Sequence, residues 1–387
     1  MKDSVAKTAN AVDNRFMRTA LGLARRGLGS VWPNPAVGCV LVDCTEPARP
    51  MMVGRGWTQP GGRPHAEAEA LVRAGAMAKG CTAYVTLEPC AHHGRTPPCA
   101  DALVGAGVAR CVISTEDPDP RVAGNGLARI RAAGIPITMG VLAAEAAELN
   151  AGFFSRIVLG RPLIALKTAT SLDGRIAAAG GASRWITGEQ ARAQGHRLRA
   201  CYDALMVGAS TVVADDPLLT CRLPGLSERS PVRVVLDAGL TISPNCQLVR
   251  TAREHPLWIV ATEAAPARPR ARLEQAGAVI VDVAADGQGR CDLQETLAAL
   301  GRLGLTRVLV EGGGSLSGAL LQADLIDRLI WFRAPTVMGA DAQSAFWPLG
   351  LATPGQAPRF VLIDRAEADG DWVETYARKE VPCSPAS

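Results

Sequence analysis

No stretch of this chain approaches the roughly 18 consecutive apolar residues that a membrane-spanning helix needs. Its opening, MKDSVAKTANAVDNRFMR, is polar where a secretory signal carries an apolar core. A cytoplasmic protein is expected. Charge of one sign is scarce as well, with 41 Lys and Arg facing 37 Asp and Glu for a balance of +4. That is too thin for the basic stripe with which a protein grips nucleic acid. The expected partners are therefore small molecules, not nucleic acid or membrane. The 11 cysteines are an odd number, and most stand singly in apolar segments such as AVGCVLV and ARCVIS, where Cys acts as a small hydrophobe. A disulfide framework is not expected. No tandem repeat is present, and the two halves of the chain do not resemble each other.

What remains is ordinary globular material, 48% apolar and 20% charged over 387 residues, long enough for two domains. Helical spacing of Phe16, Met17, Ala20, Leu21 and Ala24 predicts a helix over 13–26, with Asp13 as its N-cap. Apolar runs at 36–42, 83–87 and 110–114 read as strands, separated by helices at 65–76, 98–105 and 124–133, which implies a sheet covered by helices. An Ala/Glu-rich helix over 140–150 leads into FFSRIVLGRP, and the domain boundary is placed there, giving 1–159 and 160–387. After Pro162 a new series of strands opens with LIALKTA and continues at 204–207, 232–237, 257–261, 279–281 and 307–310, with helices between. The segment ATEAAPARPRARLEQAG reads as a loop entering a helix, and the tail KEVPCSPAS as frayed.

The chemistry of the first half centres on His65, Cys90 and Cys99. One His and two Cys can supply three zinc ligands, and three protein ligands leave a tetrahedral position for water. Residues i and i+2 do not share a helix face, so Glu67 is badly placed as a second ligand but well placed as an acid/base beside bound water. Cys99 follows two prolines at the start of a helical pattern, whose N-terminus is expected to help hold its sulfur as thiolate. The bland alternatives stay open: a capping or core His65, buried thiols at Cys90 and Cys99, or a closed structural zinc site completed by His92 or His93. A His, two Cys and a non-ligand Glu are the set that zinc nucleobase deaminases use for hydrolytic deamination.

With PNPAVGCVLV, PGGRPHAEAEAL, TLEPCAHHGRTPPCADAL and EDPDPRVAGNGLARI, the first half resembles the deaminase half of the bifunctional bacterial riboflavin-biosynthesis deaminase/reductase family. The eight residues between Cys90 and Cys99 differ from the two usual in the wider cytidine-deaminase superfamily. The resemblance implies a cytidine-deaminase-like three-layer αβα domain, His65, Cys90 and Cys99 on Zn2+, Glu67 as catalytic acid/base, Asn34 on the pyrimidine, and a loop with His92 and Arg95 facing a sugar phosphate. The chain departs from the family in the longer hairpin DCTEPARPMMVGRG and the second His of CAHHG.

In the second half, KTATSLDGRIAAAGGASRWIT gathers Lys167, Ser171, Asp173, Ser183, Trp185 and Thr187 around a strand end and two Gly-containing turns. LVEGGGSLSGALL reads as a strand, a glycine turn and a helix N-terminus, an arrangement that lets backbone amides approach phosphate oxygens. It is neither the G-x-G-x-x-G fingerprint nor a Walker loop, and by itself it could equally be a packing turn. Together with SLDGRIA, SRWIT, HRLRACYDALMVGASTVVADDPLLTCR and PVRVVLD, it is similar to the reductase half of the same family. That half is dihydrofolate-reductase-like in α/β fold and uses NADPH.

This resemblance implies that Ala169, Trp185, Thr211, Asp215, Gly313, Gly314, Ser315, Leu316, Ser317, Gly318 and Ala319 touch the cofactor. Ser183, Arg199, Leu219, Arg222 and Glu311 are implied in substrate binding, the two arginines through charge-assisted bonds to phosphate. Lys167 and Asp215 are the implied catalytic groups, as polariser and proton-network member. Asp216 stands where relatives often have Asn.

The implied reactions are deamination of 2,5-diamino-6-ribosylamino-4(3H)-pyrimidinone 5′-phosphate and then reduction of the ribosyl group to ribityl, by a homo-oligomeric enzyme. The competing readings are a nucleic-acid or free-base deaminase fused to an unrelated dehydrogenase, and a zinc-stabilised scaffold without activity.

Overall fold

The computed structural model describes residues 2–91 and 97–379. The chain forms two compact units and passes from one to the other between Leu159 and Gly160.

The first unit contains α1 (Lys2–Ala24), β1 (Gly38–Asp43), β2 (Met51–Trp57), α2 (Ala66–Ala74), β3 (Thr82–Val85), α3 (Cys99–Gly105), β4 (Arg110–Ile113), α4 (Asn125–Ala132), β5 (Ile137–Met139), α5 (Ala143–Leu149) and α6 (Ala151–Leu159). Its sheet has the order β2-β1-β3-β4-β5, with β1 antiparallel to both neighbours and β3, β4 and β5 parallel. Successive strand residues point to opposite faces, and this sorts the core into two. Cys39, Leu41, Ala83, Val85, Cys111 and Ile113 pack with α2, α3, α4 and α6. Val40, Val42, Tyr84 and Val112 pack with α1 and α5. The result is a three-layer αβα unit, in which each large side chain withdrawn from water contributes about 1.5–3 kcal/mol.

Two glycines let helices lie directly on the sheet: a Cβ at Gly38 would sit 1.9 Å from the Ala20 carbonyl oxygen, and one at Gly56 2.2 Å from that of Ala66. Gly56 thereby brings the first turn of α2, with His65 and Glu67, against the sheet.

Asp13 is not the N-cap expected of it. The helix begins at Lys2, and Asp13 is a buried carboxylate inside it that accepts the Tyr84 hydroxyl at 2.9 Å and the Arg110 guanidinium at 3.0 and 2.7 Å. Partners distant in sequence offset the cost of burying its charge, and no local pattern announces them.

The second unit contains β6 (Leu163–Thr170), β7 (Arg175–Ala177), α7 (Glu189–Arg199), β8 (Ala204–Gly208), α8 (Ala209–Asp215), β9 (Val232–Leu236), α9 (Gln247–Arg250), β10 (Leu257–Thr262), α10 (Ala267–Ala276), β11 (Val279–Val283), α11 (Leu293–Arg302), β12 (Arg307–Val310), α12 (Gly314–Gln322), β13 (Arg328–Arg333), β14 (Gln343–Ser344), β15 (Phe360–Ala368) and β16 (Asp371–Arg378). Seven parallel strands in the order β11-β10-β9-β8-β12-β6-β13 continue into antiparallel β16 and β15, while β7 pairs with β14. Parallel strands covered on both faces read as unbroken apolar runs, and Leu205, Met206, Val207, Val308, Leu309 and Val310 are all fully buried. No helix among the described residues is long and apolar enough to cross a membrane.

Candidate active sites

In the first unit, His65 is the N-cap residue of α2 and Glu67 lies in the helix's first turn. Cys90 follows β3, and Cys99 is the first residue of α3. Nδ1 of His65 lies 3.3 Å from Sγ of Cys99 and 3.7 Å from Sγ of Cys90, and one donor atom from each of the three residues falls within 4.8 Å of the others. One imidazole nitrogen and two sulfurs converging in this way form a donor set that suits zinc. His92, His93 and Arg95 lie outside the described residues.

The two sulfurs are not equivalent. The Cys99 thiol donates to Cys90, and this bond, aided by His65, pulls the Cys90 thiol down to about 4. The same bond, with burial, pushes Cys99 up. The expectation that the helix N-terminus serves Cys99 is corrected: its first amide, the N–H of Cys99, donates to Cys90 Sγ at 3.4 Å. Glu67 is 3% exposed. Burial raises its carboxyl above the ordinary value, while His65 opposes that rise. A buried carboxylate beside converging metal donors and poised to hold a proton is suited to general acid/base work.

Other residues fix these groups in place, and the sequence offered no signal for them. Glu88, also 3% exposed, accepts the backbone N–H groups of Gly124 at 3.1 Å, Gly126 at 2.9 Å and Leu127 at 3.2 Å. It thereby anchors the strand end that carries Cys90 to the start of α4. Asn150 accepts the N–H of Ala36 at 2.9 Å and donates to its carbonyl at 3.0 Å, holding the segment that bears Asn34. Asn34 itself is packed on the turn before His65, since a Cβ at Gly62 would come within 1.9 Å of its Nδ2. Burial pushes the Asp117 carboxyl up to about 7.

In the second unit, Arg199 and Glu311 form a bidentate pair, with Nε to Oε1 at 2.8 Å and Nη2 to Oε2 at 2.7 Å, and Nη1 of Arg199 also donates to the Thr220 carbonyl at 3.0 Å. Burial raises Glu311, but Arg199, with help from Lys167, outweighs it and holds the carboxyl at about 2. Lys167 stands 5.1 Å from the Phe332 ring centroid, and burial draws its amine below the ordinary value. Arg222 is exposed and donates its backbone N–H to Nδ1 of His196 at 3.3 Å. His196 precedes Arg199 by one turn of α7, and the sequence reading passed over it.

A separate cavity opens at the carboxyl ends of the parallel strands, and Thr211, Gly313, Ser315, Leu316 and Ala319 line it. Ser317 is buried. Gly314 and Gly318 lie against Trp347, whose Cδ1 a Cβ at Gly314 would approach to 2.5 Å. Leu219 is buried with a φ of 56°, whereas Ser183, Trp185 and Asp215 are exposed. The ring of Trp185 lies 4.5 Å beneath the Arg192 guanidinium. Asp216 takes a φ of 39° after α8, and its carboxylate accepts the N–H of Gln247 at 2.7 Å.

Residues 162–370 match the family model described as the RibD C-terminal domain, and residues 10–115 match the cytidine and deoxycytidylate deaminase zinc-binding region. The chain is similar to the riboflavin biosynthesis protein RibD of Escherichia coli, 44% identical over 90% of this chain and 94% of that one. It is 40% identical to RibD of Haemophilus influenzae over 95% and 97% of the two chains. Among solved structures it is similar to Acinetobacter baumannii RibD, with a TM-score of 0.85 and 38% identity over 96% of this chain and 100% of that one. It is also similar to the diaminohydroxyphosphoribosylaminopyrimidine deaminase/5-amino-6-(5-phosphoribosylamino)uracil reductase of Thermotoga maritima, with a TM-score of 0.83 and 33% identity over 96% and 99%.

Proposed function

Since the chain belongs to the RibD family of bifunctional riboflavin-biosynthesis enzymes, we propose that the site residues described above divide its zinc-dependent deamination and NADPH-dependent reduction between the two units. The first unit, 1–159, is read as the deaminase and the remainder, 160–387, as the reductase. The substrate is the phosphorylated pyrimidine 2,5-diamino-6-ribosylamino-4(3H)-pyrimidinone 5′-phosphate, and the final product is 5-amino-6-(5-phosphoribitylamino)uracil.

The observation that carries the deaminase reading is the convergence of His65, Cys90 and Cys99 beside buried Glu67. Those three residues would hold zinc, which when bound supplies the Lewis acidity that makes water a nucleophile at neutral pH. Glu67 takes a proton from the attacking water and returns it to the departing amine; its raised proton affinity supports both transfers. Asn34 holds the pyrimidine from the turn beside His65.

In the second unit, Ala169, Trp185, Thr211, Asp215 and 313–319 would hold NADPH, which when bound would supply a hydride. Arg222 engages the sugar phosphate, with Ser183 and Leu219 beside the substrate. Arg199 is largely committed to Glu311 and positions that carboxylate against the ribosyl hydroxyls. Lys167 polarises the reacting centre, where its lowered pKa makes it a readier proton donor, and Asp215 belongs to the proton network. Orientation of substrate against cofactor supplies much of the rate.

The proposed assembly is a homo-oligomer, supported by the edge strand β15, whose Val361, Leu362 and Ile363 are 49%, 48% and 46% exposed. An unpaired strand edge is a template for a second chain. Ten unpaired cysteines among the described residues support a reducing, cytoplasmic setting, with the pyrimidine as partner in place of nucleic acid or membrane.

The test supplies the diamino substrate with and without NADPH and follows ammonia and cofactor absorbance separately. Ammonia without NADPH, and cofactor oxidation only after deamination, is the expected pattern. Oxidation that precedes ammonia release would refute the order.

A further inference from the structure

The cavity in the second unit is lined by residues that follow four of the parallel strands: Thr211 after β8, Asp237 after β9, Gly313 after β12, and Asp286 and Arg290 after β11. Neighbouring strands lie about 4.8 Å apart. From the glycine turn after β12, two strand steps reach β9 and four reach β11, about 10 and 19 Å away. The glycine turn opens α12 and suits a pyrophosphate, while Lys167 and Ala169 lie on β6, on the other side of β12. A dinucleotide whose nicotinamide lies over β6 and whose phosphates lie at β12 delivers its adenosine to the β9–β11 end.

Two carboxylates line that end, and both are engaged within the protein. Asp237 accepts the Thr241 hydroxyl and the N–H of Ile242, each at 2.9 Å. Asp286 accepts the N–H groups of Gln288 at 2.8 Å and Arg290 at 2.9 Å on Oδ1 and the Nε–H of Arg290 at 2.9 Å on Oδ2, with Nη2 of Arg290 in an ion pair 2.9 Å from the same oxygen. Oδ1 of Asp286 therefore has both lone pairs in use and Oδ2 faces the Arg290 guanidinium, so the carboxylate is already engaged where an acid that selects NADH would take a ribose 2′-hydroxyl. Arg290 gives its Nε–H to Asp286, leaving the four N–H groups of Nη1 and Nη2 to meet an anion. Its side chain is 58% exposed, and it is the one cation among the described residues lining the cavity.

We infer that Arg290, held in place by Asp286, binds the 2′-phosphate of NADPH and sets the preference for NADPH over NADH. The inference deepens the reductase reading and rests on it. A planar guanidinium anchored through Nε presents its Nη1 and Nη2 groups to a phosphate with little further ordering.

The experiment is calorimetric titration of the full-length protein with NADP+, NAD+, 2′,5′-ADP and 5′-AMP, the last two differing only in the phosphate at issue. Wild-type protein is expected to bind 2′,5′-ADP at least about tenfold more tightly than 5′-AMP. Arg290→Met should weaken NADP+ and 2′,5′-ADP by about ten- to a hundredfold while NAD+ stays within about twofold, which also shows that the variant is folded. Arg290→Lys should recover part of the loss, since it keeps the charge without the fork. An Arg290→Met protein with an unchanged ratio of NADP+ to NAD+ affinity overturns the inference and leaves the cofactor reading standing. Wild-type protein that binds none of the four overturns the cofactor reading itself.

Discussion

The carboxylate of Glu88 accepts the backbone N–H of Gly126 at 2.9 Å, and Gly126 has no room for a side chain because a Cβ there would lie 1.9 Å from the carbonyl oxygen of Pro89. The residue before Cys90 is thus pinned from both sides by the start of α4. Glu88→Ala leaves buried amides without an acceptor, at a cost of about 1–3 kcal/mol. Removing such outer support also weakens metal binding by about 10–100-fold. Zinc transfer to a chromogenic chelator should accelerate accordingly, with a lower Tm. An unchanged transfer rate would show that Cys90 does not depend on this anchor.

Gly22 and Gly56 should respond oppositely to alanine. Gly22 lies inside α1 with nothing within 4 Å of its added Cβ, so Gly22→Ala should stabilise by about 0.5–1 kcal/mol through chain entropy. At Gly56 the Cβ meets Ala66 O at 2.2 Å, so Gly56→Ala must lift α2 off the sheet. About 1–3 kcal/mol of overpacking strain follows, together with a fall in deaminase kcat as Glu67 moves. Thermal melts of the two variants side by side check the contrast, and a Gly56→Ala protein as stable as wild type would contradict the packing argument.

The parts legible in the sequence were those whose cause is local. The buried parallel strands read as apolar runs because both faces are covered, and β8, β9, β10 and β12 lie where those runs fall. β15 was not legible, since its residues are mostly exposed and mix apolar with charged side chains, leaving neither a run nor an alternation. β2 was obscured by Gly54 and Gly56, which are poor strand formers present for the approach of α2. The zinc donors were legible as residue types whose convergence only a fold can test. Glu88, Asn150 and the true partners of Asp13 were hidden because each acts on groups far along the chain.

The Arg199–Glu311 pair makes the second unit sensitive to acid. The folded carboxyl sits at about 2 against an ordinary 4.5. Its stabilisation is therefore fully present above pH 4.5 and is lost as pH falls through that window towards 2. The loss is on the order of 3 kcal/mol, shared with partners that titrate alongside. Glu311→Gln should be destabilised at pH 7 and approach wild type near pH 2. Urea unfolding at several pH values tests this, and parallel pH profiles for the two proteins would exclude the pair as the source.

Glu67→Gln separates holding the metal from moving the proton. Glu67 does not belong to the group of three converging donors, so the variant should retain zinc at wild-type stoichiometry. An amide cannot accept the proton that the attacking water must lose, so ammonia release should fall by about 10²–10⁴-fold. A chelator should abolish the same activity in wild-type protein by emptying His65, Cys90 and Cys99. Neither treatment touches Lys167, Arg222 or the glycine turn, so both preparations should still oxidise NADPH when given the deaminated intermediate. Zinc content by atomic absorption, ammonia release and cofactor absorbance give three independent readings. Loss of zinc in Glu67→Gln would place Glu67 among the ligands, and loss of reductase activity on chelation would mean that the second unit needs the metal as well.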